Sequence, residues 1–180
     1  MSKRRVFLFL NNYIWAFDLS MDDSGIVIFD LEANPVYIGS IKTNYRKSHG
    51  ERLRCIADGL EELREKYPTQ TIIIERGFNR FNTATAVIYR VHGLINYLFA
   101  DCEQIYYPPK KIKATILKGT ATKKQVRDEI KRMYPDVEFS KTEKKDKKSG
   151  KIKIEENENE SDAFAVGLTY FFLEKGLKVG

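Results

Sequence analysis

Apolar positions in the first part of the chain fall into short runs separated by turn residues. Tyr13 to Asp18 reads Tyr-Ile-Trp-Ala-Phe-Asp, an apolar run closed by one carboxylate. Leu-Ser-Met-Asp-Asp-Ser-Gly follows, and its Asp, Ser and Gly are residues that tight turns take. Strands are predicted at about 13–18, 25–31 and 35–42 in a meander, with Ile26 to Phe29 returning against the first and Asn34-Pro35 as punctuation. The period then changes. Leu53, Ile56, Ala57, Leu60 and Leu63 recur at helical spacing between Gly50 and Lys66, and Tyr67-Pro68 stops that helix. Thr71-Ile-Ile-Ile-Glu75 is a continuous β-branched run, as in a strand buried on both faces. A second helix is predicted over about 82–100, with Ala84, Val87, Ile88, Val91, Leu94, Ile95 and Leu98 inward. Gln104 to Tyr107 is a short strand ended by Pro108-Pro109. Two short helices, about 110–117 and 122–133, are joined by Lys118 to Thr122. The last helix, about 161–175, is apolar nearly all round and belongs against the sheet. The order β-β-β-α-β-α-β-α-α-α describes one α/β domain with a mixed sheet.

Two segments stand outside this pattern. Residues 1–12 form an arm, in which Val6 to Leu10 is either an extra strand or a piece that packs on a partner subunit. Residues 140–160 are dominated by charge, yet Val137-Glu-Phe139 and Ile152-Lys-Ile154 flank Lys148-Ser-Gly150. A two-stranded hairpin with a basic tip is predicted there, within an insertion at about 137–158; simple disorder is the alternative.

Composition narrows the class without settling it. At 180 residues, 42% hydrophobic and 31% charged, the chain suits one globular domain, here taken as 1–180. The balance of 31 basic and 25 acidic residues leans towards a polyanionic partner. Cys55 and Cys102 lack metal-ligand spacing and read as reduced thiols of a cytoplasmic protein. Lys3-Arg4-Arg5 before Val6 to Leu10 mimics a signal peptide, but that apolar run is too short. No run is long enough to cross a membrane.

The chemistry begins with Asp18. An acid at the exit of a buried strand is costly unless hydrogen-bonded, paired or bound to a cation. Alone it would read as a turn cap. Glu75, however, ends another strand, and Asp162 opens the apolar helix from Ala163 to Phe172. Parallel strands would present Asp18 and Glu75 at their carboxyl ends, where open α/β sheets build sites, and Asp162 would close over that edge. Three such carboxylates repel one another and form a hard-oxygen site for Mg²⁺, with Mn²⁺ as substitute. Two such ions could activate water against a phosphodiester.

Longer motifs then add up. Ile74-Glu75-Arg-Gly-Phe78-Asn-Arg-Phe-Asn82-Thr-Ala-Thr-Ala86 precedes His92-Gly93 on the same helix. Tyr107-Pro-Pro-Lys-Lys-Ile-Lys113 leads to Gly119-Thr-Ala-Thr-Lys123-Lys-Gln-Val126, and Asn159-Glu-Ser-Asp162-Ala163 opens the last helix. With the strand Ile14 to Asp18, these segments resemble the RuvC family of Holliday-junction resolvases, within the RNase H-like superfamily. The resemblance covers most of residues 13–175 and implies a mixed five-stranded sheet flanked by helices. Two departures stand out. Asn159 occupies the position where the family usually has an acid or His, and the charged insertion and the arm lie outside the usual pattern, as in a phage-type relative.

The resemblance implies that Asp18, Glu75 and Asp162 hold metal. Lys113 and Lys123 would contact the scissile phosphate or its developing charge, a role that suits a compact ammonium. Asn159, by its position three residues before Asp162, would be the fourth ligand, with the charged Glu160 or Glu158 beside it as substitutes. Phe78 would wedge against an unpaired base at the branch point, with Arg76, Arg80, Lys110, Lys111 and Lys124 holding phosphates nearby. His92 and Phe81 read as packing residues. The implied protein is a Mg²⁺-dependent homodimer, its dimer face on the second helix, that nicks four-way junctions in pairs. A nuclease relaxed towards forks and flaps is the alternative enzyme. A non-catalytic nucleic-acid-binding module of the same fold is the alternative from another class.

Overall fold

The computed structural model describes residues 12–77, 83–145 and 152–177. Residues 1–11, with most of the expected arm, and Phe78, Arg80, Phe81 and Asn82 lie outside them.

The three-strand meander forms as its pattern predicts: β1 (Tyr13–Asp18), β2 (Asp23–Phe29) and β3 (Pro35–Lys42). α1 (His49–Lys66) starts at a capping box, in which Ser48 and Glu51 each satisfy the other's backbone N–H. β4 (Thr69–Glu75) and β5 (Glu103–Tyr107) run parallel to β1, with α2 (Thr83–Leu98) crossing between them. The sheet order is β3-β2-β1-β4-β5. β1, β4 and β5 therefore end at one edge, where β2 begins and β3 ends.

Alternation along β1 and β4 sorts the core into two layers. Trp15, Phe17, Ile26, Ile28, Ile72 and Ile74 pack with Ile56, Leu60, Val91 and Ile95 under α1 and α2. Ile14, Ala16, Val27, Phe29 and Ile73 face the other way. There they meet α3 (Pro109–Ile116), α4 (Lys123–Met133) and α5 (Glu158–Glu174). α5 lies directly on β1 and β2, which explains why it is apolar all round. A Cβ at Gly167 would overlap the ring of Phe29, so only glycine allows that approach.

Two predicted boundaries are corrected. The hairpin strands are β6 (Lys141–Lys145) and β7 (Ile152–Glu156): Ile152 to Ile154 forms a strand as expected, but it pairs with Lys141–Lys145 and not with Val137 to Phe139. Val137 and Phe139 are buried in the α5 layer, Phe139 against Phe164. An apolar pair before a polar run plugged the core instead of pairing. α5 also starts three residues earlier than expected. Asn157 caps it, its side chain accepting from the N–H groups of Asn159 (2.9 Å) and Glu160 (3.4 Å). Asp162 thus lies in the second turn, not the first.

Candidate active site

Three elements bring the acids together. β1 delivers Asp18, the adjacent parallel β4 delivers Glu75, and α5 lays Asp162 across their ends. All three line one cavity of about 210 Å³, with Lys113 of α3 and Lys123 at the start of α4. Pro109, Ile112, Val126 and Ala165 complete its wall. The apolar wall matters electrostatically, because it keeps water from solvating the carboxylates.

The acids respond accordingly. Burial, then the charges of Asp162 and Glu75, push the Asp18 carboxyl up to about 8. Burial and Asp162 push Glu75 up to about 7, against the pull of Lys123 and Lys113. Asp162 is raised by burial, although its bond to Lys123 works the other way. Lys123 donates to Asp162 Oδ2 and ion-pairs with it. Burial acts to lower the Lys123 ammonium, but the bond to Asp162 and the charges of Asp162, Asp18 and Glu158 outweigh it and raise it. Two of these carboxyls therefore titrate near neutrality, the behaviour of a site whose charge needs a cation.

Hard oxygens from three acids in one cavity suit a divalent ion of the Mg²⁺ or Mn²⁺ type by donor chemistry. As placed, no three acids, histidines or cysteines among the described residues are gathered tightly enough to hold one. The acids feel one another across the cavity, and Lys123 supplies the positive charge between them. Drawing Asp162 onto a metal means opening its pair with Lys123.

None of the fourth-ligand candidates, Asn159, Glu160 or Glu158, lines the cavity. Glu160 is buried, and its oxygens accept from Ser140 N–H (2.7 Å) and Ser140 Oγ (2.6 Å). It ties the hairpin root to α5 and does not line the cavity. The earlier helix start explains this: residues two apart on a regular helix diverge. Asn159 does not line the cavity either. Glu158, one helical turn before Asp162, is the acid whose charge both Asp162 and Lys123 feel. Glu158 is already a candidate from its place beside Asn159, and the earlier helix start sets it at i,i+4 spacing to Asp162.

Around the cavity, Arg76 is exposed, and its N–H donates to Tyr107 O at 2.9 Å. Lys110 is exposed, and the Lys111 ammonium lies 5.2 Å from the Tyr107 ring centroid. Lys124 points along α4 to Asp128 at 2.5 Å. Phe78 and Arg80 fall outside the described residues. His92 is buried against Tyr106, and burial lowers its imidazole, as a packing residue requires.

A polar bridge that sequence reasoning missed holds the start of α5. Asn157 Nδ2 donates to Asp23 Oδ2 and to Ser40 Oγ, both at 3.1 Å, and Asn157 N–H donates to Ser140 O at 2.7 Å. A Cβ at Gly25 would overlap the Asn159 carbonyl, so backbone meets backbone there. This contact sets the height of Asp162 over Asp18, which pairs with Gly25 in the sheet.

Residues 25–145 match the family model described as crossover junction endodeoxyribonuclease RuvC. Asp18 and Asp162 flank the matched span. The fold is similar to that of Thermus thermophilus RuvC in complex with Holliday junction substrate, at 15% identity, 92% of this chain, 96% of that chain and a TM-score of 0.71. A second Thermus thermophilus RuvC structure gives 17% identity, 91% and 96% coverage, and the same TM-score. At such identities the likeness shows the fold alone. No curated protein matches the chain by sequence.

Proposed function

This chain belongs to the RuvC family and is a Holliday-junction-resolving endodeoxyribonuclease that depends on a divalent metal, and we propose that Asp18, Glu75 and Asp162 are its metal ligands. The observation that carries the assignment is their convergence with Lys113 and Lys123 in one cavity at the carboxyl end of the sheet. The metal is Mg²⁺ in this reading, and when bound it would stabilise phosphate charge and make water a better nucleophile. Glu158 joins the three acids in place of Glu160. Lys113 and Lys123 hold phosphate oxygens, Lys123 exchanging its Asp162 partner for DNA. Arg76, Lys110 and Lys111 lie where they can take neighbouring phosphates.

A junction has two-fold symmetry, so paired nicks require two sites. We read the protein as a homodimer through α2. Tyr89 and Tyr97 are 47% and 79% exposed, and Gly93, which has nothing within 4 Å of a Cβ built on it, lies between them at helical spacing. We read its compartment as cytoplasmic, supported by two free cysteines. No helix among the described residues is long and apolar enough to cross a membrane.

The test is nicking of junction, fork and duplex DNA with and without Mg²⁺. Symmetric nicks in the junction, lost with Asp18→Asn and Glu75→Gln while junction binding persists, are expected. Unchanged nicking in either variant overturns the ligand assignment. Equal cutting of forks would favour the relaxed-specificity enzyme.

A further inference from the structure

We propose that the loop from Lys42 to Ser48 is a second DNA-contacting rim of the site, taking the phosphodiester backbone of a junction arm on the side of Asp18 opposite α3 and α4. The inference rests on the junction-nuclease reading and adds a surface that the catalytic motifs do not include.

The sheet register fixes where this loop lies. Asp18 pairs with Gly25, and Gly25 pairs with Ser40 on β3, which ends at Lys42. The loop therefore leaves the same edge as Asp18, two strand spacings away, or about 10 Å. The other basic groups, Arg76, Lys110, Lys111, Lys113 and Lys123, follow β4 and β5 on the other side of β1.

The loop is held rather than draped. Thr43 N–H donates to Asp22 O at 2.9 Å, and Thr43 Oγ1 donates to Met21 O at 2.5 Å. The buried Arg52 guanidinium ion-pairs with Asp22 and donates to Thr43 Oγ1 at 2.8 Å. Asn44 turns the chain, accepting from Arg46 N–H on its side chain (2.9 Å) and from Lys47 N–H on its carbonyl (3.0 Å). Ser48 then caps α1. The turn that follows Asp18 is thus bonded directly to this loop, so whatever the loop holds is placed relative to the acid.

What the loop presents is aromatic and cationic. Tyr45 is 74% exposed, although burying such a ring is normally among the larger gains a fold makes. The Arg46 guanidinium carbon lies 5.7 Å from its centroid, and Arg46 Nε donates to its hydroxyl at 3.3 Å. Lys42 and Lys47 flank the pair, and Glu51, the nearby acid, is occupied by the Ser48 cap and Lys47. A ring braced by a guanidinium between lysines suits a nucleic-acid backbone and its sugars and bases. One DNA strand carries a phosphate about every 3.4 Å of helix axis, so with the axis running along that line the loop meets phosphates about three nucleotides from the scissile one.

The test is equilibrium binding of the full chain to a four-way junction without divalent metal, over a range of salt concentrations. Tyr45→Ala weakens binding about tenfold with little change in salt slope. Arg46→Ala and Lys42→Ala each lower the slope by about one. Tyr45→Phe keeps the ring and stays near wild type. A neutral methylphosphonate placed two to four nucleotides from the cut weakens the wild type, but weakens Arg46→Ala no further. Unchanged affinity and slope in the Ala variants, or equal methylphosphonate effects in wild type and Arg46→Ala, overturn the proposal. Because these readouts need no cleavage, they stand apart from the nicking assay that judges the nuclease reading.

Discussion

Replacing Asp18 by Asn should make the metal-free protein more stable at neutral and alkaline pH while abolishing nicking. In the unfolded chain this carboxyl ionises near 3.8; in the fold it is held up to about 8 by burial and by Asp162 and Glu75. The native state therefore binds more protons between those values. Stability is fullest below pH 4 and is lost as pH rises towards 8. At pH 7 the ionisation penalty in the fold is about 4 kcal/mol at most, from about three units of displacement. For a chain of this size that is on the order of 10 °C in melting temperature. Asn is nearly isosteric and uncharged, so it removes the penalty without opening a cavity. Thermal and urea unfolding in EDTA at pH 5, 6, 7 and 8 would measure it. Wild type should lose stability across the series, whereas Asp18→Asn should keep only the weaker slope from Glu75, held up to about 7, and from Asp162, raised by burial. Mg²⁺ at pH 8 should restore the wild type and leave the variant unmoved. Parallel pH profiles for the two proteins, or a variant less stable than wild type at pH 8, would refute the reasoning.

Three further outcomes test the supports of the site. Gly25→Ala drives a methyl into the Asn159 carbonyl and should cost about 1–3 kcal/mol in urea unfolding, with nicking falling as α5 lifts. Glu160→Ala should destabilise by about 1–3 kcal/mol by stripping Ser140 of its acceptor. In the same variant the Mg²⁺ concentration for half-maximal nicking should hold; a raised requirement would return Glu160 to the metal. Asn157→Asp keeps an equally good helix cap but sets two carboxylates face to face, so nicking should drop; Asp23→Asn with Asn157→Asp rebuilds the bridge reversed and should restore it. No recovery in the double variant would mean the bridge does not position Asp162.

The strands and helices of the sheet layer were legible because their periods are unmixed. Tyr13–Asp18 and Pro35–Lys42 match to the residue, and α1 begins one residue before its predicted start. The three acids were legible for the same reason: Asp18 and Glu75 sit where an apolar run stops, and Asp162 where one starts. What failed was the region where apolar and charged residues alternate without a clear period. Val137 and Phe139 look like half a strand, but burial in the α5 layer, with Phe139 against Phe164, decided their place, and that layer is distant in sequence. The beginning of α5 was hidden because Glu158 to Ser161 are polar, and only the Asn157 cap, bonded to β2 and β3, shows that the helix includes them. Glu158 stands one turn before Asp162 only because the helix includes it. Loop residues such as Tyr45 carry no periodic signal, and only their bonds to the turn after Asp18 tie them to the site.

The hairpin is rooted in an unusual way for an insertion. Its two ends are joined by the Asn157-to-Ser140 hydrogen bond, while Glu156 is gripped by Arg127 and Lys131 of α4. The chain on either side is thus already brought to hydrogen-bonding distance before β6 departs and after β7 returns. Such a junction behaves as a cassette port. Each doubling of the length inserted there costs only about 0.6 kcal/mol of closure entropy. Descendants of this fold can lengthen, trim or exchange what lies between Ser140 and Asn157 while α5 keeps its footing, so the segment is free to diverge faster than the acids it borders.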